Sequence, residues 1–309
     1  MKKQPSSSLQ ISIILVNFNG WNWTQKCLES FQNLHNWDEV QRQIEVIVVD
    51  NGSQDELVKE LRTVDWITLI ELPENVGFSA GNNVGMRAAQ APYVMLLNTD
   101  TEFSPNTDLH SLLDNFSKTE VGVVTPKIVL PTGELDHACH RGFPTPWNAA
   151  WYFSGVAKLF PKFRPVAGYR QSWKDLGTKH EVEACSGAAM IVRSEYLDKV
   201  GLLDEAFFMY AEDIDWCYRF AENGFKTIYD PSVTILHHKH KSGMKNASWE
   251  TKERSTHAFF DTMKQFMWKH YTNRYPTFVL RLSSVMIDLL KYWKITSERK
   301  RYERTISSQ

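Results

Sequence analysis

The chain has 309 residues, 42% hydrophobic and 23% charged, a globular composition that excludes a disordered polypeptide. Its 35 Lys/Arg against 36 Asp/Glu leave a net charge of -1, which weighs against a mainly electrostatic nucleic-acid binder. Four cysteines (Cys27, Cys139, Cys185, Cys217) form no CxxC, against a zinc knuckle or a disulfide scaffold; the N-terminal ISIILV is too short for a signal-peptide core, and no apolar run reaches the roughly 18 residues of a transmembrane helix.

In chain order, Ile11–Phe18 reads as an apolar strand, Asn22–Leu34 as a helix and Ile44–Val49 as a second strand ended by Asp50-Asn51-Gly52-Ser53. Asp55–Leu61 reads as a helix, Thr68–Leu72 as a strand, Asn83–Ala91 as a helix and Tyr93–Leu97 as a fourth strand ended by Asn98-Thr99-Asp100. Strands apolar on both faces and separated by helices belong in a parallel sheet covered on both sides. Such sheets bind ligands beyond the carboxyl ends of their strands, where Asn17, Asn19, Asp50, Asp100 and Glu102 stand. Val121–Val129 predicts another strand, and residues 131–180, rich in Gly, Pro and aromatics, predict loops with short helices. Cys185–Val192 reads as a strand, Asp213–Asn223 as a helix closed by Gly224, and Lys226–Tyr229 and Val233–Leu236 as two short strands. A helical tail follows over roughly residues 250–309.

Five segments carry chemistry. Asp50-Asn51-Gly52-Ser53-Gln54-Asp55 is either an ordinary capped turn or a carboxylate placed for a base or ribose. Asn75-Val76-Gly77-Phe78-Ser79-Ala80-Gly81-Asn82-Asn83-Val84-Gly85 has three glycines four apart leading into a helix; its free N–H groups suit an anion, yet it is neither a Walker A motif nor GxGxxG. Asp100-Thr101-Glu102 places two carboxylates at a strand end, either a solvated turn or a site for Mg²⁺ or Mn²⁺ with phosphate oxygens. Glu212-Asp213-Ile214-Asp215 opens a helix after Phe207-Phe208-Met209-Tyr210; the acids suit the helix dipole, and one of them, partly desolvated, can become a general base. His237-His238-Lys239-His240 offers one histidine to a metal, whereas a zinc site from all three is disfavoured because residues along an extended segment converge poorly.

Together these segments resemble the inverting, GT-A-fold glycosyltransferase family 2, and within it the rhamnosyltransferase-like proteins of bacterial polysaccharide synthesis. The resemblance rests on IILVNFNG (13–20), VIVVDNGSQD (46–55), ENVGFSAGNNVG (74–85), MLLNTDTE (95–102), ACSGAAMIVRSE (184–195), VGLLDEAFFMYAEDIDWCYR (200–219) and ILHHKHKSG (235–243). It implies an α/β GT-A fold with a mostly parallel central sheet flanked by helices, a nucleotide-sugar half at about 10–130, an acceptor half at about 131–245, and a C-terminal helical extension at 246–309. It implies Asp50 on the nucleotide base, with Asn17, Asn19, Asn75, Gly77, Asn82 and Asp100 around the donor. Asp100, Glu102 and His237 would hold the Mg²⁺ or Mn²⁺, with His238 and His240 less specific matches; Glu102 departs from the family's D-x-D in length but not in charge. Asp213 would be the catalytic base, with Glu212 and Gly187 on the acceptor side. Trp147 and Trp151 lie where an acceptor loop should run, with stacking on sugar and plain packing equally open.

The implied reaction is one direct displacement on a nucleotide-sugar donor, with a saccharide or polyprenol-linked acceptor. The resemblance favours dTDP-rhamnose, UDP-sugars staying open. A non-catalytic sugar-nucleotide binder and a nucleotidyltransferase are the other classes; the first is disfavoured by the presence of Asp213, the second by NFNGWNW where a basic Gly-rich loop should follow the first strand.

The near-zero charge conceals an asymmetry. Residues 239–309 hold 15 Lys/Arg and 6 Asp/Glu, a charge of +9, so residues 1–238 carry -10. Pro276 starts a helix in which Phe278, Leu282, Val285 and Leu289 share a face. With Trp268, Trp293 and nearby lysines, this basic face either docks at the inner, anionic surface of the cytoplasmic membrane, or packs on the catalytic domain, or makes a homodimer. The cytoplasm is the expected compartment.

Overall fold

The computed structural model describes residues 9–54, 56–239 and 248–307; Asp55 and His240 lie outside them. Four apolar runs form parallel strands, β1 (Ile11–Asn17), β2 (Ile44–Asp50), β3 (Thr68–Glu71) and β4 (Tyr93–Leu97). Side chains alternate between two cores: Ile11, Ile13 and Leu15 point to one, Ile14 to the other, and likewise Met95 and Leu97 against Val94 and Leu96. Both faces are therefore dry, which is why these strands read as continuous apolar runs.

Five more strands complete the sheet: β5 (Thr101–Phe103), β6 (Val121–Val129), β7 (His180–Val182), β8 (Ala189–Arg193) and β9 (Lys226–His237). The order is β3-β2-β1-β4-β8-β6-β9-β5, with β7 also on β9. The expectation of a mostly parallel sheet needs correction. Strand β8 runs antiparallel between β4 and β6, and β5 and β7 run antiparallel to β9, so only half of the strand pairings are parallel. The two short strands read at 226–236 are one strand, because β6 pairs alongside both parts across a register shift at Pro126/Lys127. Along its other flank β9 is covered first by β7 and then by β5.

The longer helices are α1 (Trp21–Gln32), α2 (Phe78–Ala88), α3 (Pro146–Phe153), α4 (Glu212–Glu222), α5 (Trp249–Tyr271) and α6 (Thr277–Ser307). Helix α1 buries Cys27, Leu28 and Phe31 in one core; Trp216 and Phe220 of α4, with Phe266 and Met267 of α5, fill the other. Helix α2 starts five residues earlier than Asn83, because the chain turns at Gly77 and docks on β1. A Cβ at Gly85 would lie 2.5 Å from Ile14 Cγ2, so glycine there permits the close approach.

Helix α5 is held to α4 by Asp215, whose side chain is fully buried. Its carboxylate accepts from Arg219 Nε at 2.8 Å, Lys269 Nζ at 2.6 Å and His270 Nε2 at 2.7 Å. Burial works against the ionised carboxylate, but the bonds from His270 and Lys269 and the Arg219 charge outweigh it and lower its pKa to about 2. We expect Asp215→Ala to cost about 3–5 kcal/mol, because it strands buried cations. Chemical denaturation measures this, and the wild type should lose a smaller part of it, about 2 kcal/mol, as pH falls from about 3.8 toward about 2, the depressed carboxylate then taking up a proton more readily unfolded than folded.

Candidate active site

The parallel register brings Asn17 opposite Asp50 at the carboxyl ends of β1 and β2. Asn17 donates to Asp50 Oδ1 at 2.7 Å and is itself oriented by the Thr24 hydroxyl at 2.7 Å. Ser53 closes the turn, donating its hydroxyl to Asp50 Oδ1 at 2.6 Å and accepting from the Asn19 N–H at 2.8 Å. Asn19 sits in the left-handed region at φ 49°, and its Oδ1 accepts from the Gln54 N–H. Asn17, Asn19 and Asp50 thus form one network on a buried carboxylate.

Asn75 and Asn51 tie the glycine loop to this network. Asn51 donates to Asn75 Oδ1 and to the Gly77 carbonyl, both at 3.1 Å, and Asn75 Oδ1 accepts from the Gly77 N–H at 2.9 Å. Gly77 has φ 92°, and a Cβ there would lie 2.7 Å from Phe208, so the loop requires glycine twice over. Asn82 does not join the network: its amide turns back to the Phe78 carbonyl within α2.

The strand pairing β5–β9 sets Thr101 opposite His237 and brings two acid–imidazole pairs side by side. His237 Nε2 lies 3.2 Å from Asp100 Oδ1, and His238 Nε2 lies 2.8 Å from Glu102 Oε1. Behind His237, Asp136 Oδ2 sits 2.9 Å from Nδ1, and Lys239 reaches Asp136 Oδ1 at 2.7 Å. Burial disfavours a charged His237, but the flanking Asp100 and Asp136 carboxylates overcome it and hold its pKa up to about 9. Among the described residues no three His, Cys, Asp or Glu side chains converge as a ready-made metal cage. The donor set still fits a hard divalent ion: Asp136 at Nδ1 aims Nε2 toward Asp100, the arrangement that orients metal-bound histidines. Mg²⁺ in particular is held by one or two carboxylates with phosphates and water supplying the rest.

The acids of α4 separate by role. Asp215 points inward to its clamp. Asp213 Oδ2 accepts from Arg141 Nη2 at 2.7 Å and from the Gly187 N–H at 3.3 Å, and Oδ1 accepts from its neighbour's N–H, Ile214, at 2.7 Å. Tyr210 and Ala211, at φ 74° and 65°, are consecutive left-handed residues that aim the helix start. Glu212 is buried beside Asp213; burial first, then the Asp213 charge, raises its pKa to about 8, and its Oε2 has no hydrogen-bond partner. Arg141 Nε is likewise buried without a partner. Trp147 and Trp151 stand exposed on α3.

Two residues escaped the sequence reading. Arg141 and Asp136 lie in the Gly- and aromatic-rich stretch after β6, where a lone Arg or Asp carries no spacing signal. The α4 acids call for a buried cation partner, a requirement that points to Arg141 only once the fold places it.

The fold is similar to that of the mannosyltransferase PcManGT from Pyrobaculum calidifontis, solved with GDP-Man and Mn²⁺ (TM-score 0.57, 17% identity, covering 99% of this chain and 77% of that one). It is also similar to S. aureus TarS 1-349, solved with UDP-GlcNAc (TM-score 0.55, 17% identity, 93% and 73%). Residues 12–199, more than half the chain, match the family "Glycosyl transferase family 2", and the chain belongs to that family. Among its relatives are the low-salt glycan biosynthesis hexosyltransferase Agl10 of Haloferax volcanii, 28% identical over 71% of this chain and 64% of that protein. The N-acetylglucosaminyl-diphospho-decaprenol L-rhamnosyltransferase of Mycobacterium tuberculosis is 27% identical over 74% and 78%. The match thus spans just under two thirds of the length of Agl10.

Glu212 offers a pH test. A carboxyl whose folded pKa is raised stabilises the fold fully below its unfolded value near 4.5 and loses that contribution as pH rises through about 8. Glu212→Gln should therefore flatten the decline in Tm between pH 4.5 and 8, read by thermal denaturation across that range.

Proposed function

We propose that the chain transfers a sugar from a nucleoside diphosphate to a hydroxyl of a saccharide or polyprenol-linked saccharide, with inversion at the anomeric carbon. One observation carries the reading: a helix-start carboxylate held by a cation, Asp213 on Arg141, in a family 2 chain that also pairs Asp100 with His237 at a strand end. Rhamnose is the sugar favoured here, because the Mycobacterium relative is an L-rhamnosyltransferase, and dTDP is the carrier that the sequence resemblance favours.

In this reading Asp50, oriented by Asn17 and Ser53, accepts hydrogen bonds from the nucleotide base or ribose. Asn19, Asn75 and Gly77 shape the donor loop next to it. Asp100 and His237, with Glu102 and His238 beside them, would hold Mg²⁺ or Mn²⁺. Bound there, the ion neutralises charge on the departing diphosphate. Asp213 takes the proton of the attacking hydroxyl, giving inversion in a single displacement. Arg141 fixes the Asp213 carboxylate in place, and the Gly187 N–H fixes the same oxygen. Glu212, protonated at neutral pH, avoids a second negative charge against the base.

A donor screen of purified protein, reading nucleoside diphosphate release with Mg²⁺ or Mn²⁺ and acceptor, tests the reaction. Asp213→Asn should lower transfer by about 10²–10⁴-fold while donor binding persists; transfer at the wild-type rate would remove Asp213 as base. Asp100→Ala and His237→Ala should weaken Mn²⁺-dependent donor binding, measured by calorimetry. Full activity after chelation would refute the metal role.

A further inference from the structure

Helix α6 does not bury the face that its sequence makes most apolar. Leu280 and Ile287 turn inward, whereas Phe278, Leu282, Val285, Leu289, Tyr292 and Trp293 are each between 55% and 73% exposed. They recur every three or four residues and so form one stripe along the helix. The stripe is not a loose end, for α6 is fastened to α5 by Lys264–Asp288 at 2.6 Å and Lys291–Asp261 at 2.8 Å.

A second apolar surface adjoins it. Helix α6 packs beside α3, and the short helical segment that follows α3 exposes Leu159, Phe160 and Phe163. Residues 146–167 contain Lys158, Lys162 and Arg164 and no acid, a charge of +3. Residues 277–307 contain seven Lys/Arg and three Asp/Glu, a charge of +4. Exposed Arg281, Lys294 and Lys300 stand along or beyond the stripe. Both neighbouring surfaces are thus apolar and cationic together. No helix among the described residues is long and apolar enough to cross a membrane, so this pattern suits a surface rather than a span.

We propose that α6 and the 146–167 segment form one docking surface for an anionic lipid membrane. The charge decides between occupants. A symmetric dimer would set the same cationic patch against itself, whereas an anionic headgroup layer neutralises it and accepts the aromatic side chains at the interface. The surface is independent of the reaction assigned above, because none of the residues altered below belongs to the carboxylate site.

Flotation of the full chain with vesicles tests this. Wild type should float with vesicles containing phosphatidylglycerol, bind several-fold less to phosphatidylcholine alone, and release at high salt. Leu282→Glu/Leu289→Glu should abolish flotation while nucleoside diphosphate release in solution stays at the wild-type level. Leu159→Glu/Phe160→Glu, on the other element, should reduce flotation independently. Wild-type protein that stays with the soluble fraction, or a Leu282→Glu/Leu289→Glu chain that floats as well as wild type, overturns the proposal. So does light scattering that finds a wild-type dimer split to monomer by the same pair, which would make the stripe a contact between two copies.

Discussion

A single buried carboxylate decides how the two parts of this chain hold together. Asp215 is fully enclosed, and an ionised acid in that position is tolerable only with partners around it. One comes from its own helix, Arg219, and two, Lys269 and His270, come from α5. The aromatic packing of Phe266, His270 and Tyr271 against Tyr218 follows the same contact. The C-terminal helices are therefore bonded to the helix that also carries Asp213 two residues earlier. Tyr210, in the strained turn before that helix, reaches Ser255 of α5 at 2.7 Å and stacks edge-on to Phe259. Helix α5 thus contacts α4 and the turn that precedes it at both Asp215 and Tyr210.

The second constraint is the length of β9. A strand of twelve residues serves β6 along one flank and both β7 and β5 along the other. Its last residues carry His237 to Asp100 and, just beyond, His238 to Glu102. Thr101–Phe103 is a strand only because β9 supplies its hydrogen bonds. What reads as an acidic turn runs into an edge strand bonded to β9, with each of the two carboxylates beside an imidazole.

The legibility of the chain follows from these two facts. Strands β1, β2, β4 and β6 show in the sequence because both faces are buried and nearly every residue is apolar. The polar ends of β1, β2 and β4 show for the complementary reason: Asn17, Asp50 and Asp100 interrupt such runs abruptly. Strands β5 and β7, three residues each, carry no period of their own and are defined by their partner. The direction of β8 is likewise invisible, since an apolar run such as AMIVR has no polarity that distinguishes parallel from antiparallel pairing. Arg141 and Asp136 act through partners 72 and 101 residues away, a separation that local pattern does not encode. Asp215 shows the converse. Its place in an acidic trio next to Asp213 is legible, but its role as a structural anchor depends on Lys269 and His270, more than fifty residues downstream.

The distribution of charge joins the two halves of the argument. In the proposed reaction an anionic diphosphate must approach a body of charge -10, which is unfavourable unless a cation is held where the phosphates arrive. Asp50, Asp100 and Glu102 stand at or just beyond the strand ends, where a divalent ion would offset their repulsion of the diphosphate. Of the tail's lysines Lys239 reaches the site, on Asp136, whereas Lys264 and Lys291 are used between α5 and α6 and Lys269 on Asp204 and Asp215. Among the described residues, exposed Arg281 and Lys300 lie on α6 with the exposed apolar stripe. A net charge near zero is thus the sum of an acidic body, which the proposed reaction matches to a metal-bound diphosphate, and a basic tail, which the proposed docking matches to a headgroup layer.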